Sequence, residues 1–345
     1  MTQGLEAPIV CSDPSADWLL GDIGGTHARF VHARGLEVAG AERFVVDGRA
    51  SFQDAIAAAI EQVGEPVKRA AFCIAATISG DQLKLTNRDW TASASDLRRA
   101  LDLDELVVVN DFAANGAGVA ALDSGDGEPI GPRLPPVDGP TRVVFGPGTG
   151  LGAAALRHDP DSSRVLETEA GHLAWAPDPD DADAMIVARC ARVFESVRRE
   201  WGRVSWEHVL SGNGLVRIDA ALADADLRAA ADISAAAQAG EPRAVRAAQC
   251  FSRQVGRYAA EICFAFHATG GLYVTGGVLE GLGTAFDEAA CRHAFEASVG
   301  DGHPHAGWLR ATTLIRITIK DLAYRGLAEI ASGRVLSPGL HLRRE

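Results

Sequence analysis

The chain runs to 345 residues, 47% hydrophobic and 23% charged, with a formal net charge of -13 at pH 7. That length favours two domains, each able to bury a core. The acidic balance argues against a nucleic-acid footprint, so any phosphate bound here is to be held by backbone N–H groups and a metal rather than by a basic surface. The six cysteines are scattered, without a C-x-x-C pair or zinc spacing, and most read as buried thiols of a reduced, cytoplasmic protein. No apolar run reaches ~18 residues, so no membrane span is expected. Residues 1–17 lack the order of a secretory signal and read as a loose tail.

Trp18-Leu19-Leu20 enters the glycine turn Gly21-Asp22-Ile23-Gly24-Gly25-Thr26, followed by the β-type run Arg29-Phe30-Val31-His32. This is a hairpin whose paired glycines permit positive φ and close approach of a ligand to the backbone. Asp22 lies where a carboxylate could meet a metal-bound phosphate. Glu42 to Val46 adds a strand, Phe52 to Val63 has helical periodicity, and Val67 to Ile78 reads as one long central strand. Asp81 to Asn87 alternates like a hairpin strand, and a helix from about Ser95 to Leu101 has Ser93 or Ser95 as its cap. Leu106 to Val109 reads as a buried parallel strand. It ends in Asn110-Asp111, ahead of a helical segment from Ala113 to Leu122. A carboxylate at that strand end sits where open α/β sheets bind ligands. Asp111 is therefore read either as the cap of the next helix or as a catalytic base.

Residues 123–140, dense in Gly and Pro, read as a loop between domains. The second half then opens as the first did. Arg142 to Phe145 runs into Gly146-Pro147-Gly148-Thr149-Gly150-Leu151-Gly152 and a further β-type run from Ala153 to Leu156. Glu167 to His172 follows, then an acidic run, Asp178 to Asp183, read as a solvated loop and helix cap. Ala184 to Trp201 reads as one amphipathic helix, and helical patterns dominate 205–268 with breaks near Gly212-Gly214 and Gly240-Pro242. Leu272 to Thr275 is a buried strand ending at Gly276-Gly277. Phe286 to Ala297 reads as helix, Leu309 to Lys320 as a β-rich run, and Leu322 to Ser332 as a final helix.

Three glycine sites thus each follow an apolar strand, a pattern that suits a nucleotide held by two hairpins and a backbone turn. No G-x-x-x-x-G-K-[ST] is present, which excludes a P-loop. A competing reading is a dinucleotide site, since Gly148-x-Gly150-x-x-Ala153 fits the relaxed Rossmann fingerprint, with Glu167 and Glu169 beyond it. It leaves the first glycine turn and Asn110-Asp111 without a role.

The ordered set Gly-Asp-Ile-Gly-Gly-Thr (21–26), Leu-Thr-Asn (85–87) with Trp90, Val-Asn-Asp-Phe (109–112), Gly-Thr-Gly-Leu-Gly (148–152), Glu-x-Gly-His (169–172), Val-Ser-x-Glu-x-Val-Leu-Ser-Gly (204–212) and Gly-Gly (276–277) resembles the bacterial glucokinase family over about residues 18–335. The resemblance implies an actin-like (ribonuclease-H-like) two-domain α/β ATPase fold, with mixed sheets flanked by helices and a cleft between domains. It implies a cytoplasmic homodimer that phosphorylates the 6-hydroxyl of glucose with Mg-ATP. The expected division is a tail at 1–17, a small domain at 18–122 joined by a C-terminal helix at 320–345, and a large domain at 123–319. Residue by residue, Asp111 matches the base and Asn110 a sugar-binding amide, with Glu169, His172 and Glu207 as sugar-hydroxyl ligands. Gly21, Asp22, Ile23, Gly24, Gly25 and Thr26 match the first phosphate hairpin, with Asp22 facing Mg2+ through water. Gly148, Thr149 and Gly150 match the second, and Gly276 and Gly277 the turn beside the adenosine. A ring of hydroxyls does call for carboxylates, amides and imidazole. In phosphoryl transfer the protein mainly positions the reactants while a carboxylate takes the hydroxyl proton. The sequence departs from the family pattern at His27, Thr77, Pro147 and Ala170, none of them a proposed catalytic group. A kinase for another hexose, or a sugar-binding regulator without chemistry, would share the scaffold.

Overall fold

The computed structural model describes residues 17–24, 28–35, 37, 38, 41, 43–46, 48–85, 90–132, 134 and 139–344. In chain order the elements are β1 (Trp18–Ile23), β2 (Ala28–Ala33), β3 (Arg43–Val45), α1 (Phe52–Val63), β4 (Arg69–Ile74), β5 (Ala76–Ser79), β6 (Gln82–Leu85), β7 (Thr91–Ser93), α2 (Ala94–Ala100), β8 (Glu105–Asn110) and α3 (Asp111–Gly118). There follow β9 (Gly127–Pro129), β10 (Thr141–Pro147), β11 (Leu151–Asp159), β12 (Ser162–Thr168), α4 (Ala182–Arg189), α5 (Ala191–Trp201), α6 (Gly212–Ala223), α7 (Ala230–Gln238) and α8 (Pro242–Phe266). The chain closes with β13 (Leu272–Val274), α9 (Gly277–Leu282), α10 (Glu288–Glu296), α11 (Ala306–Ala311), β14 (Leu314–Ile317), α12 (Leu322–Ala331), β15 (Val335–Leu336) and β16 (Leu340–Arg343). Two compact units result. One comprises residues 1–123, 156–167 and 319–345, the other 124–155 and 168–318.

The first unit is built on a sheet in the order β16-β8-β4-β1-β2-β3. Its middle strands are parallel: β1 on β4 with Asp22 opposite Cys73, and β4 on β8 with Ile74 opposite Asn110. Buried on both faces, these strands need apolar residues at every position, and nearly all of Trp18–Ile23, Ala70–Ile74 and Leu106–Val109 are buried. A separate small sheet, β5-β6-β7, flanks this core. In the second unit the strands lie in the order β11-β10-β13-β14-β9. The 25-residue helix α8 runs through their core, contributing Phe251, Val255, Tyr258 and Ile262.

Several expectations need correction. The run Val67–Ile78 is two strands, because the chain leaves the main sheet at Ala75 and β5 pairs antiparallel with β6 instead. The helix expected over Ala184–Trp201 breaks at Cys190, whose backbone is extended at φ -72°, ψ 93°. Gly212 and Gly214 open α6 under the Ser211 cap rather than interrupt a helix. The β-rich run expected from Leu309 begins inside helix α11, which ends at Ala311, and the 123–140 loop contains β9, paired to β14. The acidic run is not simply solvated. Arg257 pairs with Asp178, Arg253 with Asp181 and Asp183, and Arg246 with Asp183. The C-terminal helix ends at Ala331. Gly333 then takes φ +76°, and the chain returns as β15 and as β16, which pairs antiparallel with β8. Residues 156–167, assigned from sequence to the large domain, belong to the first unit, where β12 pairs with β15.

The β16 edge is fixed by charge as well as by backbone. Glu105, at the start of β8, is buried and receives His341 Nε2 at 2.5 Å, Arg343 Nε at 3.0 Å and Arg69 Nε at 3.5 Å. Burial acts to raise the Glu105 carboxyl, but the His341 and Arg343 hydrogen bonds outweigh it and hold the group below its ordinary value of 4.5. A carboxyl more acidic in the folded than in the unfolded chain stabilises fully above the unfolded value, and that stability is lost as pH falls through the folded one. Glu105→Gln is expected to cost roughly 1–3 kcal/mol at neutral pH. In urea titrations the gap between wild type and variant is expected to narrow as the pH drops below 4.5.

Candidate active site

In the first unit the register of β1, β4 and β8 brings Asp22, Cys73 and Asn110-Asp111 to the C-terminal ends of adjacent parallel strands. That is the edge at which open α/β sheets bind ligands. Asp22 Oδ1 lies 3.7 Å from Cys73 Sγ, and Arg29 Nη1 lies 3.8 Å from Asp22 Oδ2. Burial pushes the Asp22 carboxyl above its usual range, against the pull of Arg29 and Cys73. The Cys73 thiol is pushed far up, first by burial and then by the negative charges of Asp22 and Asp111. Cys73 thus lies beside Asp22 and within the field of Asp111. Sequence reading treated it only as a buried thiol, although the aligned ends of the apolar runs could have shown its place.

The strand-to-helix turn at β8 is held by its own side chains. The Phe112 N–H donates to Asn110 Oδ1 and to Asp111 Oδ1, both at 2.9 Å. Asn110 is the N-cap of α3 and Asp111 its first residue, so the capping role weighed for Asp111 falls to Asn110. Asp111 stands in the first turn of that helix. Gly21, Asp22 and Ile23 end β1 and Gly24 follows it. Gly25, Thr26 and His27 lie outside the described residues, as do Thr86 and Asn87.

In the second unit the glycine loop between β10 and β11 closes on itself, with Gly148 N–H donating to Gly150 O at 2.8 Å. Gly212 N–H donates to Gly148 O at 2.9 Å, and Thr149 is exposed. Glu207 Oε2 accepts from Leu151 N–H at 3.0 Å, and a Cβ on Gly150 would lie 2.5 Å from that oxygen. Glu207 is thus tied to the very loop that resembles a phosphate site, a link its sequence position did not disclose. Gly276 takes φ +112°, and a Cβ there would lie 2.4 Å from Pro147 O. The Gly276-Gly277 turn therefore backs onto Pro147, at the start of the Gly148–Gly150 loop.

Glu169 precedes a short 3₁₀ turn, Ala170–His172, and Glu207 lies in another, Trp206–His208. Backbone bonds from Trp206 N to Leu173 O and from Trp175 N to Val204 O, both 3.0 Å, lay the two segments side by side. Arg203 Nη2 adds a bond to His172 O at 2.9 Å. The Glu169 carboxylate is 89% exposed and lies 3.7 Å from His172 Nε2. Ala170, a departure from the family pattern, buries its methyl in the core of this unit.

The Rossmann reading fails here. The residues after Gly150 form strand β11, not the helix whose N-terminus would carry a pyrophosphate. A family model described as Glucokinase matches residues 19–331. The chain belongs to the glucokinase family. A glucokinase of Nitrobacter hamburgensis is 35% identical over 320 residues, covering 90% of this chain and 96% of that one. The crystal structure of a glucokinase from an Antarctic psychrotroph is 29% identical, with a TM-score of 0.74 over 90% of this chain and 97% of that one. A glucokinase of the ROK family from Streptomyces griseus, solved in complex with glucose and AMPPNP, shares the fold at 21% identity. Its TM-score is 0.62, over 91% of this chain and 99% of that one. The fold is the actin-like, ribonuclease-H-like one expected from the sequence.

Among the described residues no group of three or more His, Cys, Asp or Glu side chains is placed to hold a metal. The donors of the first unit nevertheless fit Mg2+, which is ordinarily held by one or two carboxylates, water and substrate phosphates rather than by an all-protein cage. Asp22 offers such a hard oxygen at the sheet edge. Among the described residues, no helix is long and apolar enough to cross a membrane.

The Gly276 contact has a direct test. Gly276→Ala puts a methyl against a backbone carbonyl at a positive φ and is expected to cost about 2–4 kcal/mol in chemical denaturation. Gly277→Ala meets nothing within 4 Å and is expected to stay within about 1 kcal/mol of wild type.

Proposed function

We propose that the protein is an ATP-dependent glucokinase in which Asp111 takes the proton of the glucose 6-hydroxyl. The observation that carries this reading is Asp111 itself: a half-buried carboxylate at the C-terminal end of β8, one oxygen fixed by the Phe112 N–H, with Asp22 two strands away. Within the first unit, Asp111 orients the hydroxyl and accepts its proton as the oxygen attacks the γ-phosphorus. The bond to the ADP oxygen breaks, and ADP leaves with the electron pair. Asn110 has its Oδ1 committed to the cap, which leaves its amide N–H groups to donate to a sugar oxygen. Asp22 is the residue that would face Mg2+ through water, and the cation when bound would neutralise phosphate charge.

Within the second unit, Glu169, His172 and Glu207 are proposed to bind sugar hydroxyls. Glu207 has one oxygen on Leu151 N and the other available. The backbone of Gly148, Thr149 and Gly150 is proposed to cradle phosphate, as are Gly21 to Thr26 in the first unit, and Gly276-Gly277 to flank the adenosine. Each loop offers backbone N–H groups rather than cations, which suits a chain of net charge -13. The same reading takes the protein as a cytoplasmic homodimer, on the family resemblance.

Asp111→Asn removes the base with little change of shape. It is expected to lower kcat for glucose about 10²–10⁴-fold, with circular dichroism and melting temperature near those of wild type. Near-normal turnover by the variant would sink the assignment. A panel of hexoses with ATP tests the sugar. Turnover is expected to be highest with glucose, whereas a better rate with another hexose would favour that kinase, and calorimetric sugar binding without turnover a regulator.

A further inference from the structure

Outside the assigned groups, one exposed aromatic side chain touches the sugar-binding candidates. Along α5 the buried residues Val193, Phe194 and Val197 form a stripe at helical spacing, and Trp201 continues it one turn beyond Val197. Trp201 is the last residue of the helix, and Gly202 turns the chain away at φ +72°. Its ring leaves the core and remains 57% exposed. It lies nearly parallel to the His172 imidazole, with ring centroids 6.3 Å apart and planes at 14°. It also meets His208 edge-on, at 5.6 Å and 68°. Its ring thus stands between two imidazoles, those of His172 and of His208, the latter next to Glu207 in the chain.

The stack supplies what the neighbours do not. The His172 side chain is 42% exposed, and its Glu169 contact, at 3.7 Å, is too long for a hydrogen bond. Arg203 holds the His172 carbonyl, not the ring. His208 is a firm wall by contrast. Its Nδ1 accepts from Ser205 N–H at 3.0 Å and meets Ser205 Oγ at 2.8 Å, and its carbonyl accepts from Arg217 Nη1 at 3.1 Å. An Nδ1 that accepts marks the neutral ring. Burial, with Arg217, keeps the His208 imidazole below its ordinary value. Offset stacking at such distances favours one ring orientation over others.

We infer that Trp201 is a positioning residue for sugar binding, fixing the His172 imidazole against the anchored His208 so that His172 meets a hydroxyl without first being ordered. The inference rests on the reading of His172 and Glu207 as sugar ligands. A ring ordered before binding avoids the cost of freezing it in the complex. The effect belongs in affinity and not in the chemical step, which the first unit's Asp111 performs.

Steady-state kinetics of the full chain with glucose and Mg-ATP provide the test. Trp201→Ala is expected to raise the glucose KM about 5–20-fold, with kcat within about twofold and the ATP KM unchanged. Trp201→Phe, which keeps a stacking face, is expected to stay within about threefold of wild type. His172→Ala is expected to raise the same KM. Adding Trp201→Ala to it is expected to change the KM by less than about twofold, because the ring to be oriented is gone. An unchanged glucose KM in Trp201→Ala overturns the inference, as does an equal KM effect in the presence and absence of His172. Loss of kcat that Trp201→Phe does not restore would mark a merely structural role and overturn it too. If wild type turns over no glucose, the functional reading itself fails and this inference with it. Wild-type turnover with an insensitive Trp201 removes this inference alone.

Discussion

The parallel register of β1, β4 and β8 is the constraint on which the first unit's chemistry depends. Parallel strands end at a common edge, so one register decision aligns Asp22, Cys73 and Asn110 across neighbouring strands. A slip of a single residue would turn every side chain of a strand to the opposite face. It would separate the two carboxylates. The hydrophobic effect that buries Leu106 to Val109 therefore also places Asp111. The charge cluster around Glu105 holds the other end of β8 against β16. The strand carrying the candidate base is thus fixed at its start by ion pairs and at its finish by a helix cap.

The second unit relies on the absence of side chains. Gly150 leaves room for the Glu207 carboxylate to reach Leu151 N–H, and Gly276 leaves room for the Pro147 carbonyl. A backbone packed this tightly has its turns fixed before any ligand arrives, which lowers the ordering cost of binding. Glu207 joins two proposed tasks, since one carboxylate both pins the loop and stands among the sugar-binding candidates. A sugar that failed to engage its free oxygen would leave a partly buried carboxylate unpaired, and that penalty is a source of selectivity.

The elements most readable from sequence were those whose signal is local. The Trp18 hairpin, the Phe52–Val63 helix, the Ser93 cap of α2 and the apolar β8 follow from periodicity and capping chemistry. What escaped was non-local. The break at Ala75 exists because β5 has a partner, β6, outside the main sheet. The strand β16 exists because β8 offers it an edge, and its own sequence, Leu340 to Arg343, carries little strand signal. Asp178, Asp181 and Asp183 looked solvated because their arginine partners lie some seventy residues away along α8. The site behaved in the same way. Asp111 and the glycine turns could be singled out by motif, but the Glu207–Leu151 bond spans 56 residues, and no spacing rule would have found it.

In the proposed reading, Asn110 and Asp111 let a structural role and a chemical role share a dipeptide. A general base must be held within a fraction of an ångström of its target, so it gains from a rigid neighbour. The cap supplies that rigidity from the adjacent residue, leaving Asp111 one oxygen on the same Phe112 N–H and its other oxygen for other partners. In the order Asn-Asp the helix is capped by a neutral amide, and the carboxylate proposed as the base falls on the adjacent residue.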